Sequence, residues 1–309
     1  MKSMKNYCDK AELLLEAINS SNAVLLGAGA GLSTSAGISY EIEGELKDFA
    51  SAYGFSNMYE AGFYPFKSAQ HYWAYWSLHI DKNRYGYGAL PLYRKLFELL
   101  KNKEHFVITT NVDAQFALAG FKNVFAPQGD YGLFQCSKPC SDMLWSNEEE
   151  IKRMKAEIKD FKIKTPPKCL RCEALAEVNI RKNASFVQDS SWYEKCQKYE
   201  QFLTQHLGLS KLLLLELGVG FNTPGIIKFP LLRMARAQNT KYLAINTDAK
   251  ALLKLRDMGS SSKGSSDSKD SPGGPDSKDS PNSSDSPNSP DSPDFLLIKA
   301  DISSLLSSF

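Results

Sequence analysis

A doubly wound parallel α/β sheet with a smaller inserted domain is the fold class the sequence predicts. Four short apolar runs end in small or hydrogen-bonding residues: AVLLGAGAG (23–31), HFVITTNVD (105–113), KLLLLELGVG (211–220) and KYLAINTD (241–248). Helix-like stretches at 90–101, 194–206 and 225–238 lie between or after them. Continuous apolar strands alternating with helices indicate a parallel sheet covered on both faces, the Rossmann-like arrangement. Two close cysteine pairs, Cys136/Cys140 and Cys169/Cys172, fall in a stretch that breaks this alternation. Sheets of this kind bind ligands at the carboxyl ends of their strands, where the polar tips lie.

Element by element, a first helix covers 9–20, with Leu13, Leu14, Ala17 and Ile18 on its apolar face. After the first strand, residues 41–88 are dense in aromatics and read as a helical module. Their rings either form its core or line a substrate channel. Residues 131–192 hold both cysteine pairs and a charged helix-like run over 148–162. The expected division assigns 1–40, 89–130, 193–258 and 295–309 to the sheet domain. The insertions 41–88 and 131–192 together form the small domain. Residues 259–294 contain only Ser, Asp, Pro, Gly, Lys and Asn. Such a segment buries nothing to offset its ordering entropy and is expected to be a disordered loop, its serines either phosphorylation sites or an inert expansion. Closing it costs free energy only logarithmically with length, so FLLIKAD (295–301) still serves as a final strand.

Composition narrows the function. Of 309 residues, 42% are hydrophobic and 23% charged, with a net charge of +2. The 259–294 segment carries −4 from 7 Asp and 3 Lys, leaving +6 spread over the other 273 residues. Without Lys/Arg blocks this is no footprint for nucleic acid. The leucine run at 212–215 is far shorter than the ~20 apolar residues of a membrane helix. Asp9, Glu12 and Glu16 interrupt the amino-terminal stretch, which therefore has neither a secretory apolar region nor the acid-poor character of a transit peptide. A soluble, cytoplasmic protein with reduced thiols is expected.

Five motifs carry the candidate chemistry. In GAGAGLSTSAGI (27–38), Gly27, Ala28, Gly29, Ala30 and Gly31 lead into a helix opened by Ser33 and Thr34. Glycines admit a pyrophosphate against the backbone at a helix amino terminus, and they equally build tight turns. No acidic residue ~20 positions later ends a second strand, so an ordinary dehydrogenase fits poorly. In TTNVD (109–113), Asn111 and Asp113 would point to one face if the strand continues. They suit a ribose and a nicotinamide carboxamide, or else serve as helix caps. APQGDYG (126–132) contains Gln128. ELGVGFNTPGIIKFP (216–230) is a second glycine turn, with Gly218, Val219, Gly220 and Asn222. In AINTD (244–248), a strand-tip Asn246 or Asp248 could meet an adenosine ribose, and Thr247, Asp301 and Ile302 are further candidate cofactor contacts. Dinucleotide binding is the common theme.

The cysteines form a C-x3-C and a C-x2-C pair 28 residues apart. The wide gap and long first knuckle depart from the usual zinc ribbon. Structural Zn2+ held by Cys136, Cys140, Cys169 and Cys172 is the expected reading, with free thiols or disulfides as alternatives and Cys8 and Cys196 outside the set.

The order of these motifs resembles the sirtuin family, and more narrowly its macrodomain-linked class M. The strings GAGAGLST, WAYW, TTNVD, QGDYGLFQCSKPC and LELGVGFNTPGIIKFP carry the resemblance, which spans about 4–258 and 295–309. Ordinary sirtuin deacylases follow the glycine motif with Pro-Asp-Phe-Arg, where this chain has Ser39-Tyr40-Glu41-Ile42. They also place a histidine base at the position matching Gln128. A glutamine amide cannot take up a proton usefully, so the resemblance disfavours deacylation unless Asp130 substitutes. It implies an NAD-dependent protein ADP-ribosyltransferase in which Asn111 orients the ribose and Asp113 the nicotinamide amide. It further implies a lipoylated carrier resembling the glycine-cleavage H protein as acceptor, and a macrodomain ADP-ribosyl hydrolase as functional partner. A weak deacylase, an NAD glycohydrolase and a non-catalytic NAD or ADP-ribose sensor are the alternatives. Residues 179–192 match in position the place where sirtuins pair a substrate peptide. There Phe186 and Val187 alternate with polar residues as in an edge strand, and Arg181 or Lys182 could meet an acidic target, unless the stretch is an ordinary linker.

Overall fold

The computed structural model describes residues 2–222, 224–260 and 295–308. The expectation of a disordered loop falls almost wholly on residues outside this set; positions 259–260 end a helix. The strands are β1 (Ala23–Ala28), β2 (Glu104–Thr109), β3 (Val124–Phe125), β4 (Gly129–Cys136), β5 (Trp145–Ser146), β6 (Ala176–Ile180), β7 (Leu212–Leu217), β8 (Thr240–Asn246) and β9 (Phe295–Lys299). Six form a sheet in the order β3-β2-β1-β7-β8-β9, every pair parallel. The chain runs outward from β1 through β2 to β3, then returns to the other side of β1 at β7. The order therefore reverses between β1 and β7, the point at which such sheets open a ligand crevice.

Both faces are covered, which explains the uninterrupted apolar runs. On one face Val24, Leu26, Val107, Leu213 and Leu215 pack with helices α1 (Lys2–Ser20), α2 (Ala30–Ser35), α6 (Pro91–Leu100) and α12 (Ile302–Leu306). On the other, Leu25, Phe106, Ile108, Leu212 and Leu214 meet α9 (Ser190–His206), α10 (Lys228–Met234) and α11 (Ala249–Ser260). Helix α10 is shorter than the 225–238 expected. Its Pro230 sits in the first turn, where the missing N–H costs nothing. Two-residue β3 is too short to leave a pattern in the sequence.

A third core joins the two insertions. Helices α3 (Leu46–Tyr53), α4 (Met58–Gly62), α5 (Ala69–Ile80) and α8 (Glu148–Glu157) enclose Phe49, Trp73, Tyr75, Trp76 and Phe134 with β4 and β6. Most of the aromatic residues of 41–88 are thus core. The remaining helix, α7 (Gln115–Leu118), is a single turn. Strands β5-β4-β6 form a small antiparallel sheet whose central strand starts at Gly129, inside the sequence-based limit of 130 for the sheet domain. A π-helical turn, Asp81–Tyr85, continues α5.

The edge strand expected near Phe186 and Val187 does not form. The Val187 N–H is donated to Gln135 Oε1 at 3.0 Å, and its carbonyl accepts from Asn179 Nδ2 at 2.9 Å. Those side chains occupy the backbone groups a ladder would need. Among the described residues, no helix is long and apolar enough to cross a membrane.

Candidate active site

The β1 and β7 tips are joined backbone to backbone. The Gly29 N–H donates to Leu217 O at 3.0 Å, and the Gly31 N–H to Gly218 O at 2.9 Å. A Cβ on Gly31 would lie 2.7 Å from Gly218 O, and one on Gly218 (φ +61) would lie 2.3 Å from Leu32 N. These glycines therefore serve a close approach between two strand tips before any approach to a pyrophosphate. Gly27 and Ala28, expected to bind the dinucleotide, are buried parts of β1. A Cβ on Gly27 would strike Ile227 and Leu231, and Ala28 is fully buried in the core, so neither offers a side chain to a ligand. Ala30, Gly31 and Thr34 are exposed on the next turn.

Strand β2 ends at Thr109, so alternation within a strand does not bring Asn111 and Asp113 together. Ser33 does. Its hydroxyl donates to Asp113 Oδ2 at 2.6 Å and accepts from Asn111 Nδ2 at 2.9 Å. With the serine proton so placed, the Tyr93 hydroxyl, 2.8 Å away, is the donor to Ser33. Asn111 Nδ2 also reaches Gly29 O at 3.1 Å. The amide nitrogen is thereby held within the protein, and Oδ1 is the atom the residue can turn to a ribose hydroxyl. Asp113 Oδ1 accepts the Gln115 N–H at 3.0 Å. Burial pushes the Asp113 carboxyl above its ordinary range, against the lowering effect of the Ser33 and Gln115 hydrogen bonds.

Gln128 is half-buried at the turn before β4, and its carbonyl accepts the Arg181 N–H at 2.9 Å. The turn is tied to the asparagine loop, because the Tyr131 N–H donates to Val112 O at 3.0 Å. Asp130, the possible substitute base, is paired instead: Oδ1 accepts from Arg84 Nε at 2.7 Å and from the Gly132 N–H at 2.6 Å. Lys182 is also engaged. Its Nζ lies 4.0 Å from the Trp76 ring centroid and donates to Tyr72 at 3.1 Å, so it does not project toward a target; Arg181 does remain exposed, over Phe186.

On the β7–β8 side, Gly220, Asn222, Thr247 and Asp248 are exposed, and Asn246 Nδ2 donates to Val219 O at 3.2 Å. Asp301 accepts from Ser35 Oγ at 2.5 Å and caps α12 through the Ser304 N–H at 2.7 Å. Burial pushes its carboxyl up, but those hydrogen bonds outweigh burial and hold it low. Ile302 packs in the core at 2% exposure, which leaves its backbone alone for any cofactor contact. Sequence reasoning missed Tyr93 and Arg84. Tyr93 was detectable only as one more residue on the apolar face of α6, beside Leu92, Leu96 and Leu100.

The four paired cysteines converge. Cys136 and Cys172 sulfurs are 3.6 Å apart, as are those of Cys140 and Cys169, and all four lie within 4.8 Å of one another. Zn–S bonds of ~2.3 Å in a tetrahedron give sulfur separations of ~3.8 Å, so the set fits a closed structural zinc site.

The chain matches no protein-family profile. It is 36% identical over 255 residues to a protein ADP-ribosyltransferase of Staphylococcus aureus, covering 80% of this chain and 81% of the relative. It is 30% identical over 236 residues to a probable bifunctional ADP-ribose hydrolase/ADP-ribosyltransferase of Fusarium oxysporum, covering 71% of this chain and 39% of that longer protein. Its fold matches a Sir2 homologue solved with NAD, at a TM-score of 0.59 and 15% identity, over 96% of this chain and 90% of the other. It also matches a Sir2 homologue solved with 2′-O-acetyl ADP ribose, at a TM-score of 0.58 and 14% identity, over 95% and 92% of the two chains. Glycine-joined strand tips, an asparagine and aspartate gathered by one serine, a tetracysteine knuckle and these relatives agree: the chain has the Sir2 fold and belongs to the protein ADP-ribosyltransferases.

Proposed function

We propose that the protein cleaves the nicotinamide–ribose bond of NAD and transfers the ADP-ribose to a lipoylated carrier protein resembling the glycine-cleavage H protein. The observation that carries this reading is the Ser33–Asn111–Asp113 cluster, combined with the lack of any histidine at Gln128. Loss of nicotinamide passes through an oxocarbenium-like sugar and needs orientation and charge stabilisation more than a strong base. Asn111 Oδ1 is available to fix ribose hydroxyls, and Asp113 to accept from the carboxamide. An acceptor nucleophile then bonds to the anomeric carbon as nicotinamide leaves with the bonding pair. Deacylation would also require a base for a ribose hydroxyl. His79 is not one, because burial foremost, with help from Lys182 and Lys82, pulls its imidazole down to about 3 and Tyr75 and Tyr131 occupy both nitrogens.

Removal of the mark by a partner macrodomain hydrolase is part of the same reading. The Fusarium relative, whose name joins hydrolase to transferase in one chain, supports it. The four cysteines would hold zinc as a fixed knuckle of the small domain, with no part in the chemistry. The test is incubation with NAD labelled in its adenylate, with lipoylated or unlipoylated carrier. Label on the lipoylated carrier, lost in Asn111→Ala, is expected. Consumption of NAD to free ADP-ribose with no labelled protein would establish a glycohydrolase instead.

A further inference from the structure

Residues 181–187 leave β6 and bend back beside the turn that carries Gln128. The Arg181 N–H donates to Gln128 O at 2.9 Å, and Arg181 Nε donates to Pro127 O at 3.3 Å. A Cβ on Gly129 would lie 3.1 Å from Phe186 Cε2, so the ring sits directly on that turn.

Within the bend, main-chain groups are satisfied by the protein itself. The Ser185 N–H donates to Asn183 Oδ1 at 2.8 Å, and the Phe186 N–H closes a turn on Asn183 O at 3.4 Å. Gln135, on β4, holds two points of the bend at once: Nε2 donates to Ser185 O at 2.8 Å, and Oε1 accepts the Val187 N–H at 3.0 Å. Asn179, on β6, donates through Nδ2 to Val187 O at 2.9 Å and to Gln135 Oε1 at 2.7 Å. A carbonyl only accepts and an N–H only donates, so the orientation of both amides is fixed by this network. Gln135 and Asn179 are each 2% exposed. Lys182 adds a further tether, with Nζ 4.0 Å from the Trp76 ring centroid.

Strand addition draws its affinity from free N–H and C=O groups along an extended edge. Straightening 183–187 into such an edge would break the Asn183 turn and pull Ser185 off Gln135, at about 0.5–1.5 kcal/mol for each bond. A disordered peptide would also pay about 1–2 kcal/mol per residue to order its backbone, a cost that a folded domain has already met. We propose that Gln135 and Asn179 hold 181–187 as a closed strap beside Gln128, so that the protein modifies a group presented by a folded acceptor domain and not a side chain of an extended peptide. Both are positioning residues that set acceptor class. The inference rests on the reading that ADP-ribose is transferred to a carrier protein.

The test is labelling, with NAD labelled in its adenylate, of the folded lipoylated carrier and of the same lipoylated carrier kept unfolded by substitutions in its own core. The protein as it stands should label the folded form faster by about tenfold or more, the worth of one to two hydrogen bonds withheld by the strap. Gln135→Leu should cut that ratio severalfold by speeding labelling of the unfolded form. Gln135→Glu keeps the acceptor for Val187 but loses the donor to Ser185 O; it should act in the same direction to a smaller degree, and it stands in if the leucine variant does not fold. A general loss of activity slows both labellings alike and leaves the ratio alone. Residue-resolved hydrogen exchange needs no variant: the Val187 amide should exchange slowly. Fast exchange there, equal labelling of the two carrier forms, or an unchanged ratio in the folded Gln135 variants overturns this inference and leaves the proposed function standing. No label on either form overturns the proposed function and this inference with it.

Discussion

Beneath the six-stranded sheet, α9, α10 and α11 rest mainly on aliphatic side chains, and a buried polar cluster there closes on itself. Lys228, fully buried, pairs with Glu216 Oε1, and Tyr242 donates to Glu216 Oε2 at 2.8 Å. In the aromatic half the buried polar groups form a run of three rings instead, with Tyr75 and Tyr131 on the two nitrogens of His79. The first arrangement secures a helix to a sheet. The second ties α5 to β4 across the two insertions. Both arrangements hold elements together, whereas Ser33, Asn111 and Asp113, also buried, gather at the candidate site.

Removing zinc is the largest test of this contrast. Cys136 ends β4, the strand that carries Phe134 into the aromatic core, and structural zinc contributes folding free energy directly. Chelation, or Cys169→Ser, should abolish the near-UV dichroism of the buried tryptophans Trp73 and Trp76 and lower the melting temperature. The strands of the parallel sheet should keep their protection in hydrogen exchange. Equal loss in both halves would erase the distinction. Next in size is Lys228→Met. Breaking a buried pair from one side costs about 3–5 kcal/mol because the other charge is stranded. Chemical denaturation should register that loss, and the near-UV dichroism of Trp73 and Trp76 should not move.

The smallest expected effect on stability is that of Asp113→Asn. The folded carboxyl holds its proton more tightly than the unfolded one, so its contribution to stability is present in acid and is lost as pH rises through its folded value. Asparagine can still accept from Ser33. The variant should therefore melt a few degrees higher at neutral pH, show a flatter profile between acid and neutral, and lose NAD cleavage. A lower melting temperature at pH 7 would mean that the Ser33 and Gln115 hydrogen bonds outweigh burial.

Strands were legible because a sheet covered on both faces demands apolar runs, and β1, β7 and β8 are written that way. The cysteine set was legible as two close pairs, but their wide gap left open how they are used until the fold brought the four sulfurs together. What stayed hidden depends on contacts distant in sequence: Ser33 lies 78 and 80 positions from the residues it gathers, and Arg84 lies 46 from Asp130. Local pattern predicted a strand near Val187, but Gln135 and Asn179 had already taken its backbone groups. The same limit applies to GAGAG. Its glycines mark a close approach, and only the fold shows that the first thing approached is Gly218.

That lock between Gly29, Gly31 and Gly218 has a mechanical consequence. Two loops hydrogen-bonded main chain to main chain, with no room for a Cβ between them, form an anvil rather than a jaw. Whatever widening a substrate needs on entry falls to elements other than this pair of loops.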